Sequence, residues 1–531
     1  MRALLLVLVA IGATAASEPS GVLAEADVAF ESGDHDRALA LYDKVLAADP
    51  DDSRALMRSG LLLSWTRQYD AAVERYDRLL AVDPSRRDAA IERAKVLSWD
   101  RRYEEAARAF RSILERWPDE LDARLGLART LSWRGDEAKA RAVYAEILAA
   151  DPHHVAALTG TAQTWAWSGR LAAARDAYTR ALAESPLDRD ARLGLAYAYL
   201  WSGDGAATDR LADELVREHP DDAEIALLRE RATVAIRPWV RTTVDRVEDT
   251  DDNRLTVVAA SAGVRVHARA DIVGGIALHD MRDPRGDARI DSVSAGVDMR
   301  PATGQILTLR AGADRLESTA GERSTEPTGS VGWSFGADRA WRGSVTAARE
   351  TLRYSPTITD NRIVVDGLRA EGSGRVGDAW RVFGSAGIAD VSDGNRREQL
   401  DLGFARRIPV SGPRVEAGIA LSAFDYDEDL ANGYFDPSDF RSALLVGRAS
   451  DTFGRRDASW SVEASWGVQS FTLDTIEVDD DQVFLLAGTI GWPIGRALRL
   501  ELHALRGDYA AQTPSGFESR QVGVRLRIAV F

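Results

Sequence analysis

The chain has 531 residues, a formal net charge of −16 and no cysteine. That length exceeds one ordinary domain. The acidic balance argues against a nucleic-acid partner, because phosphate binding wants a basic face. The absence of thiols excludes disulfides and cysteine-based metal sites. Arg2, the apolar run 3–12 and the small residues Ala13-Thr14-Ala15 predict a secretory signal peptide over 1–16. The run is too short to anchor in a bilayer. No other stretch approaches a transmembrane helix, so a membrane location requires a barrel.

Residues 17–236 repeat with a period of 34. Pro50, Pro84, Pro118, Pro152, Pro186 and Pro220 mark the beat. Trp65, Trp99, Trp133, Trp167 and Trp201 keep it, as do Ala38, Ala72, Ala106, Ala140 and Ala174. A further ladder is Tyr42, Tyr76, Phe110, Tyr144 and Tyr178. Within one repeat, the spacing of Leu56, Leu61, Leu62 and Trp65 predicts a helix over 53–66. Tyr69 and Asp70 turn the chain, a second helix covers 71–81, and Pro84, which has no amide donor, closes the unit. Small residues at Gly60, Ala94, Ala128, Ala162 and Ala196 fall where the two helices must approach. The pattern resembles the tetratricopeptide repeat, a helix–turn–helix unit that stacks into a solenoid, over about six repeats. The resemblance implies a docking surface rather than a catalyst.

It also implies that each tryptophan lies near the end of a first helix, beside the concave groove. Two readings of the row are open. Large aromatics mostly fill cores, and packing of each indole between neighbouring helices is the preferred account. The other is a spaced row of indoles that stack on successive sugars of a glycan.

After Arg237-Pro238 the beat disappears and alternation with period two begins. Sixteen candidate strands of about 10–15 residues follow over 237–531, among them 254–267, 340–354, 414–426, 457–471 and 497–509. Trp460, Val462, Ala464, Trp466 and Val468 alternate with Ser461, Glu463 and Ser465. Apolar-out, polar-in alternation of this length marks an outer-membrane β-barrel. Short turns are expected at 266–269, 301–305, 336–340, 377–379, 411–414, 454–457 and 495–497. Longer loops are expected at 248–254, 316–327, 354–362, 426–439, 472–482 and 510–518. Short turns are periplasmic in such barrels, and an even strand count places both barrel ends, and the repeats, in the periplasm. Trp239, Trp333, Trp341, Trp380, Trp460 and Trp492 lie by the N-terminus or the short turns; Tyr354, Phe424, Tyr426, Phe471 and Tyr509 lie at the opposite ends. These read as two interfacial girdles. Phe531, the expected assembly signal, falls out of the apolar register.

A leader, periplasmic repeats and a barrel resemble the exopolysaccharide export porins: the poly-N-acetylglucosamine porin and the cellulose-synthase C-type subunit. The Leu-Ser-Trp at 63–65, 97–99 and 131–133 looks like their repeats and those of proteins with a YaiO-type barrel. Gly433, Tyr434, Phe435, Asp436 and Pro437 are similar to an aromatic-aromatic-x-Pro extracellular loop of the same barrels. The resemblance implies a monomeric porin in the outer membrane of a Gram-negative bacterium, with a polysaccharide as cargo. The repeats would guide glycan or dock periplasmic or inner-membrane proteins of an export system. The alternative is a closed, non-transporting YaiO-type anchor whose repeats scaffold an envelope complex. A barrel of sixteen strands is wide enough for an aqueous channel. Arg342, Glu416, Glu463, Arg499, Glu501, Arg525 and Arg527 are expected to face its lumen. The acidic runs 248–252, 425–429 and 479–481 read as solvated loop charge. No phosphate loop, zinc motif or nucleophile elbow is present, and His153-His154 has no partner at ligand spacing. The expectation is a protein without catalysis, cofactor or metal.

Overall fold

The computed structural model describes residues 19–250, 252–336, 340–377, 379–410, 412–430, 432–453, 458–473, 476–495, 497–508 and 518–530. The expected leader at 1–16, the turn at 454–457, Tyr509, most of the loop at 510–518 and Phe531 lie outside the described residues. By contacts the chain forms two compact units, one through Thr161 and one from Ala162.

In the first unit the helices are α1 (Pro19–Glu31), α2 (His35–Ala48), α3 (Ser53–Trp65), α4 (Tyr69–Val82), α5 (Arg87–Trp99), α6 (Tyr103–Arg116), α7 (Leu121–Arg134) and α8 (Glu137–Ala150). The next, α9 (Val155–Trp167), spans the division. The Ala ladder is fully buried, and Tyr42, Tyr76, Phe110 and Tyr144 fill the core beside it. Close approach of successive repeats depends on glycines that the small-residue ladder did not single out. A Cβ at Gly126 would collide with the Phe110 ring, and one at Gly160 with the Tyr144 ring. Each turn between paired helices uses a left-handed residue. Gly135 closes α7 by donating to the Ser132 carbonyl (3.0 Å), and Asp136 donates to that of Leu131 (2.9 Å).

The second unit continues with α10 (Leu171–Glu184), α11 (Arg189–Trp201), α12 (Gly205–Glu218) and α13 (Ala223–Ile236). A sheet follows: β1 (Trp239–Asp249), β2 (Arg254–His267), β3 (Ala270–Asp283), β4 (Gly286–Met299), β5 (Ile306–Glu317), β6 (Arg323–Phe335), β7 (Trp341–Thr351) and β8 (Val364–Val376), with the short helix α14 (Pro356–Asp360) between the last two. It is completed by β9 (Trp380–Val391), β10 (Arg396–Ile408), β11 (Arg414–Tyr426), β12 (Ser438–Phe453), β13 (Ala458–Leu473), β14 (Ile476–Ile494), β15 (Leu498–Gly507) and β16 (Ser519–Ala529). Every strand pairs antiparallel with its sequence neighbours, and β1 closes on β16 from Trp239↔Ala529 to Asp249↔Ser519. The fold is thus an N-terminal helical repeat region followed by a closed sixteen-strand antiparallel barrel.

Closure leaves one face of each strand outside. Val258, Ile276, Leu400, Leu445, Ile490 and Val524 are exposed there, with Trp333, Trp341, Trp380 and Trp492 toward the short turns. An apolar outer band on a closed barrel satisfies every strand's backbone within the sheet, which is what a bilayer demands. No helix among the described residues is long and apolar enough to cross a membrane.

Three loop and girdle expectations differ from the structure. The loop at 316–327 is mostly strand, because β5 runs to Glu317 and β6 starts at Arg323. The loop at 472–482 is also mostly strand. A register shift between Gln469 and Phe471 lets the acidic run join β14, where the Asp480 amide donates to Ser470 Oγ (3.0 Å). Trp239, Phe424, Tyr426 and Phe471 are not in outer girdles. Trp239 pairs with Gly263 and meets Arg241 and Arg527 across its ring, while the other three belong to an inner cluster described below.

Candidate functional site

Strand parity builds the inner wall. Glu416 pairs with Arg448 across β11 and β12, and Arg448 with Glu463 across β12 and β13, so three charges of alternating sign lie in one row. Arg448 reaches Glu463 at 3.1 Å. Glu416 is held by Arg414 (2.6 Å) and Arg381 (3.1 Å). Arg369 binds Glu371 (2.7 Å) and stands 3.8 Å from Asp401, which also accepts from Ser385 Oγ (2.5 Å). Arg342 donates to Ser373 Oγ (2.9 Å). All of these but Arg414 line a cavity of about 770 Å³, between small residues such as Gly343, Ser344, Ala405 and Ala420.

Of the residues expected in the lumen, the structure brings Arg342, Glu416 and Glu463 to this cavity. The others lie on β15 and β16, apart from it. Arg525 pairs with Glu501 at 2.8 Å, Arg499 donates to Ser459 Oγ (2.6 Å), and Arg527 sits over the Trp239 ring at 5.7 Å. Arg369, Glu371, Arg381, Asp401 and Arg448 were missed. Counting by two from Arg342 or Glu416, then crossing to the paired strand, reaches four of them, and a second crossing through Ala405 reaches Arg381.

Two segments are inserted at the loop end of the barrel. In α14, Ile358 and Thr359 are buried, and Thr359 Oγ1 lies 3.5 Å from Met281 Sδ of β3. Thr357 Oγ1 accepts from Arg285 (2.9 Å), and Asp360 accepts from the amide (2.8 Å) and hydroxyl (2.7 Å) of Thr319. This helix leaves the wall at β7 yet packs against β3, β4 and β5. From the other side comes the loop after β11. Gly433 (φ 93°) accepts from Ser355 Oγ at 3.2 Å, and a Cβ there would meet Thr357 Cβ at 2.8 Å. Phe435 stands edge-on to Phe471 at 5.2 Å, beside the stacked pair Phe424–Phe440 at 4.2 Å. Tyr434 donates to Asp393 (2.8 Å), and Asn395 joins Glu428, Tyr434 and Asp436. Asp436 is buried and accepts from the Leu430 amide (2.9 Å). Burial pushes its carboxyl up to about 6, helped by the charges of Asp429 and Asp393. Burial and the bond to Asp393 push the Tyr434 hydroxyl up. Pro437 is buried too. The expected extracellular motif therefore folds inward and plugs the mouth.

The tryptophans of the repeats are not core residues. Trp65, Trp99 and Trp133 in the first unit, and Trp167 and Trp201 in the second, are between 38% and 53% exposed. Packing covers only about half of each ring, because the Ala and Tyr ladders already fill the core. In Leu63-Ser64-Trp65, Leu63 and Ser64 turn inward, Ser64 Oγ donates to the Leu61 carbonyl (2.6 Å), and the indole is left outside. Trp65 stacks on Phe30 at 5.8 Å and Trp201 lies against Tyr197 at 5.5 Å, which extends both apolar faces. In the second unit the turns that follow Trp167 and Trp201 touch the short-turn rim. Arg375 donates to the Ser168 carbonyl (3.0 Å), and Thr303 Oγ1 lies 3.4 Å from Asp204 Oδ2. Among the described residues no group of three or more histidines and carboxylates is arranged to hold a metal ion.

A tetratricopeptide repeat family model matches residues 29–95, 100–163 and 168–232. The chain carries these repeats there. The search of curated proteins returns no match. Among solved structures, the chain is similar to a bacterial polysaccharide outer membrane secretin at 15% identity and TM-score 0.45, over 56% of this chain and 99% of that one. It is similar to a tetratricopeptide repeat protein of Parabacteroides merdae at 17% identity and TM-score 0.38, over 41% of this chain and 86% of that one. PilF of Pseudomonas aeruginosa is similar at 16% identity and TM-score 0.32, over 40% and 96%.

Proposed function

We propose that this protein is an outer-membrane porin that exports a polysaccharide, with its repeats in the periplasm guiding the glycan or docking export proteins. The observation that carries the reading is the cavity inside the barrel. Its wall mixes small residues and charges, several of them ion-paired, with apolar side chains such as Phe383 and Leu421, a surface a hydrated polymer can pass without being trapped, and a sixteen-strand wall leaves room for a channel. The exposed indoles support a guiding role, since Trp167 and Trp201 stand next to the residues that touch the barrel rim. No catalytic step is assigned to the chain.

A second reading has its own support. The inserted plug favours a closed anchor whose repeats scaffold an envelope complex. Deleting the gene and measuring exopolysaccharide in periplasm and medium separately decides between them. Export predicts periplasmic accumulation with loss outside. An unchanged distribution sinks export and leaves the anchor.

A further inference from the structure

We propose that Arg499, Arg527 and Arg241 form an oxyanion-binding subsite at the short-turn mouth of the lumen, which takes the carboxylate or phosphate groups of an acidic polysaccharide. This rests on the export reading and adds the charged group that the entrance recognises. Arg499 pairs with Arg527 across β15 and β16, and Arg527 with Arg241 across β16 and β1, so three arginines stand in one row over the closure of the barrel. Pro493 on β14 and Ser261 on β2 bound the row, and neither carries a charge. Along their strands the three have the opposite parity to the outward Leu502, Val524 and Val244, so they point into the lumen.

Like charges directly opposite one another destabilise a sheet. Among the described residues none of the three has a carboxylate partner. The nearest inner-face carboxylates of these strands lie one and two rows farther from the rim, and both are engaged: Glu501 by Arg525 (2.8 Å) and Asp245 by His503 (2.6 Å). Arg499 donates only to a neutral hydroxyl, Ser459 Oγ (2.6 Å). Arg241 and Arg527 lie over the Trp239 ring at 5.1 and 5.7 Å. That ring fits because Gly263 has no side chain; a Cβ there would stand 2.6 Å from it. The indole thus holds two guanidiniums side by side without neutralising either. Farther round the same rim, Arg265 and Arg300 share the single carboxylate of Asp271. Guanidinium forks match the oxygens of carboxylates and phosphates, and an anion between them removes the repulsion within the row. The row faces the lumen, where a polymer passes, and not the outer surface of the rim, where a protein would dock. The oxyanions therefore belong to the cargo.

The test titrates fluorescent hexagalacturonate and a glycerol phosphate hexamer into the full chain in detergent, with methyl-esterified hexagalacturonate as the uncharged control. At least one acidic oligomer should bind, and its affinity should fall as KCl is raised. It should bind about tenfold less tightly to Arg527→Gln, which loses one charge-assisted contact. The ester should not compete. No binding of either acidic oligomer, an affinity unchanged in Arg527→Gln, or equal binding of the ester overturns the subsite. Tighter, Arg527-dependent binding of hexaglutamate gives the row to an acidic protein segment and overturns the polysaccharide. If Arg527→Gln does not fold, Arg241→Gln, also open to the lumen, is read in the same way. Export is judged apart from this, by the gene deletion. Periplasmic glycan accumulation without oligomer binding overturns the subsite and leaves export standing. An unchanged glycan distribution overturns export and the subsite's cargo with it.

Discussion

Arg67 and Arg101 occupy left-handed backbone, at φ 62° and 64°, where Gly33, Gly135, Gly169 and Gly203 stand in the other repeats. A side chain there crowds the following carbonyl, at a cost of about 1–2 kcal/mol. Glycine removes that strain but gives back part of it through a more flexible unfolded chain. Arg101→Gly should therefore stabilise the repeats by about 0.5–1 kcal/mol, read as a higher urea midpoint of the helical circular dichroism. A lower midpoint would mean that the arginine side chain itself holds the turn. The indoles give a second prediction. Trp99→Ala and Trp133→Ala remove exposed rings, so the fold should survive. Affinity for cellohexaose should fall by about 1 kcal/mol for each ring, roughly fivefold in Kd. Unchanged affinity in a folded double variant ends the stacking idea.

At the scale of elements, the plug is held by a carboxyl that prefers its proton. A free aspartate titrates near 3.9, while Asp436 in the closed loop sits at about 6. The closed form thus binds a proton that the open form releases between those values. Closure is strongest below the free value, weakens as pH rises to about 6, and is constant above it; the difference is at most about 3 kcal/mol. Conductance of the unaltered protein should rise from pH 5 to pH 7. In Asp436→Asn, whose amide oxygen can still accept from Leu430, it should stay low at both. Equal conductance of the unaltered protein at both values would remove Asp436 from the latch. Much of this arrangement can be read from the sequence, and part of it cannot. The beat of 34 announces the helix pairs, because each repeat must bury the same face. Alternation announces the strands. Phe424 and Tyr426 are an even number of residues from Glu416, so parity alone sends them inward; their place near a strand end drew them to a girdle instead. The plug is harder. Nothing local in Pro356–Asp360 says that it will pack against Met281, since only closure of the barrel brings β3 opposite the loop after β11.

For the whole molecule, the repeats and the barrel owe their stability to different physics, which has a measurable consequence. A repeat contacts its neighbours only, so repeat stability is a sum of local terms and is weakened by urea gradually. The barrel has no edge: β1 is paired on both sides, with β2 and with β16, and its backbone bonds are shielded by the apolar band. Within the second unit, among the described residues, helices and rim meet through polar contacts of Arg375 with Ser168 and of Thr303 with Asp204. Each is worth about 1 kcal/mol net, too little to tie two such systems into one cooperative transition. In detergent, helical ellipticity should vanish at a urea concentration where the barrel still migrates as a compact, heat-modifiable band on a gel. Arg375→Ala should leave both midpoints nearly where they were. A single coincident transition, or a shared shift in Arg375→Ala, would mean that the rim contact couples the two. The last repeats would then act as a structural part of the barrel mouth and not as a docked guide.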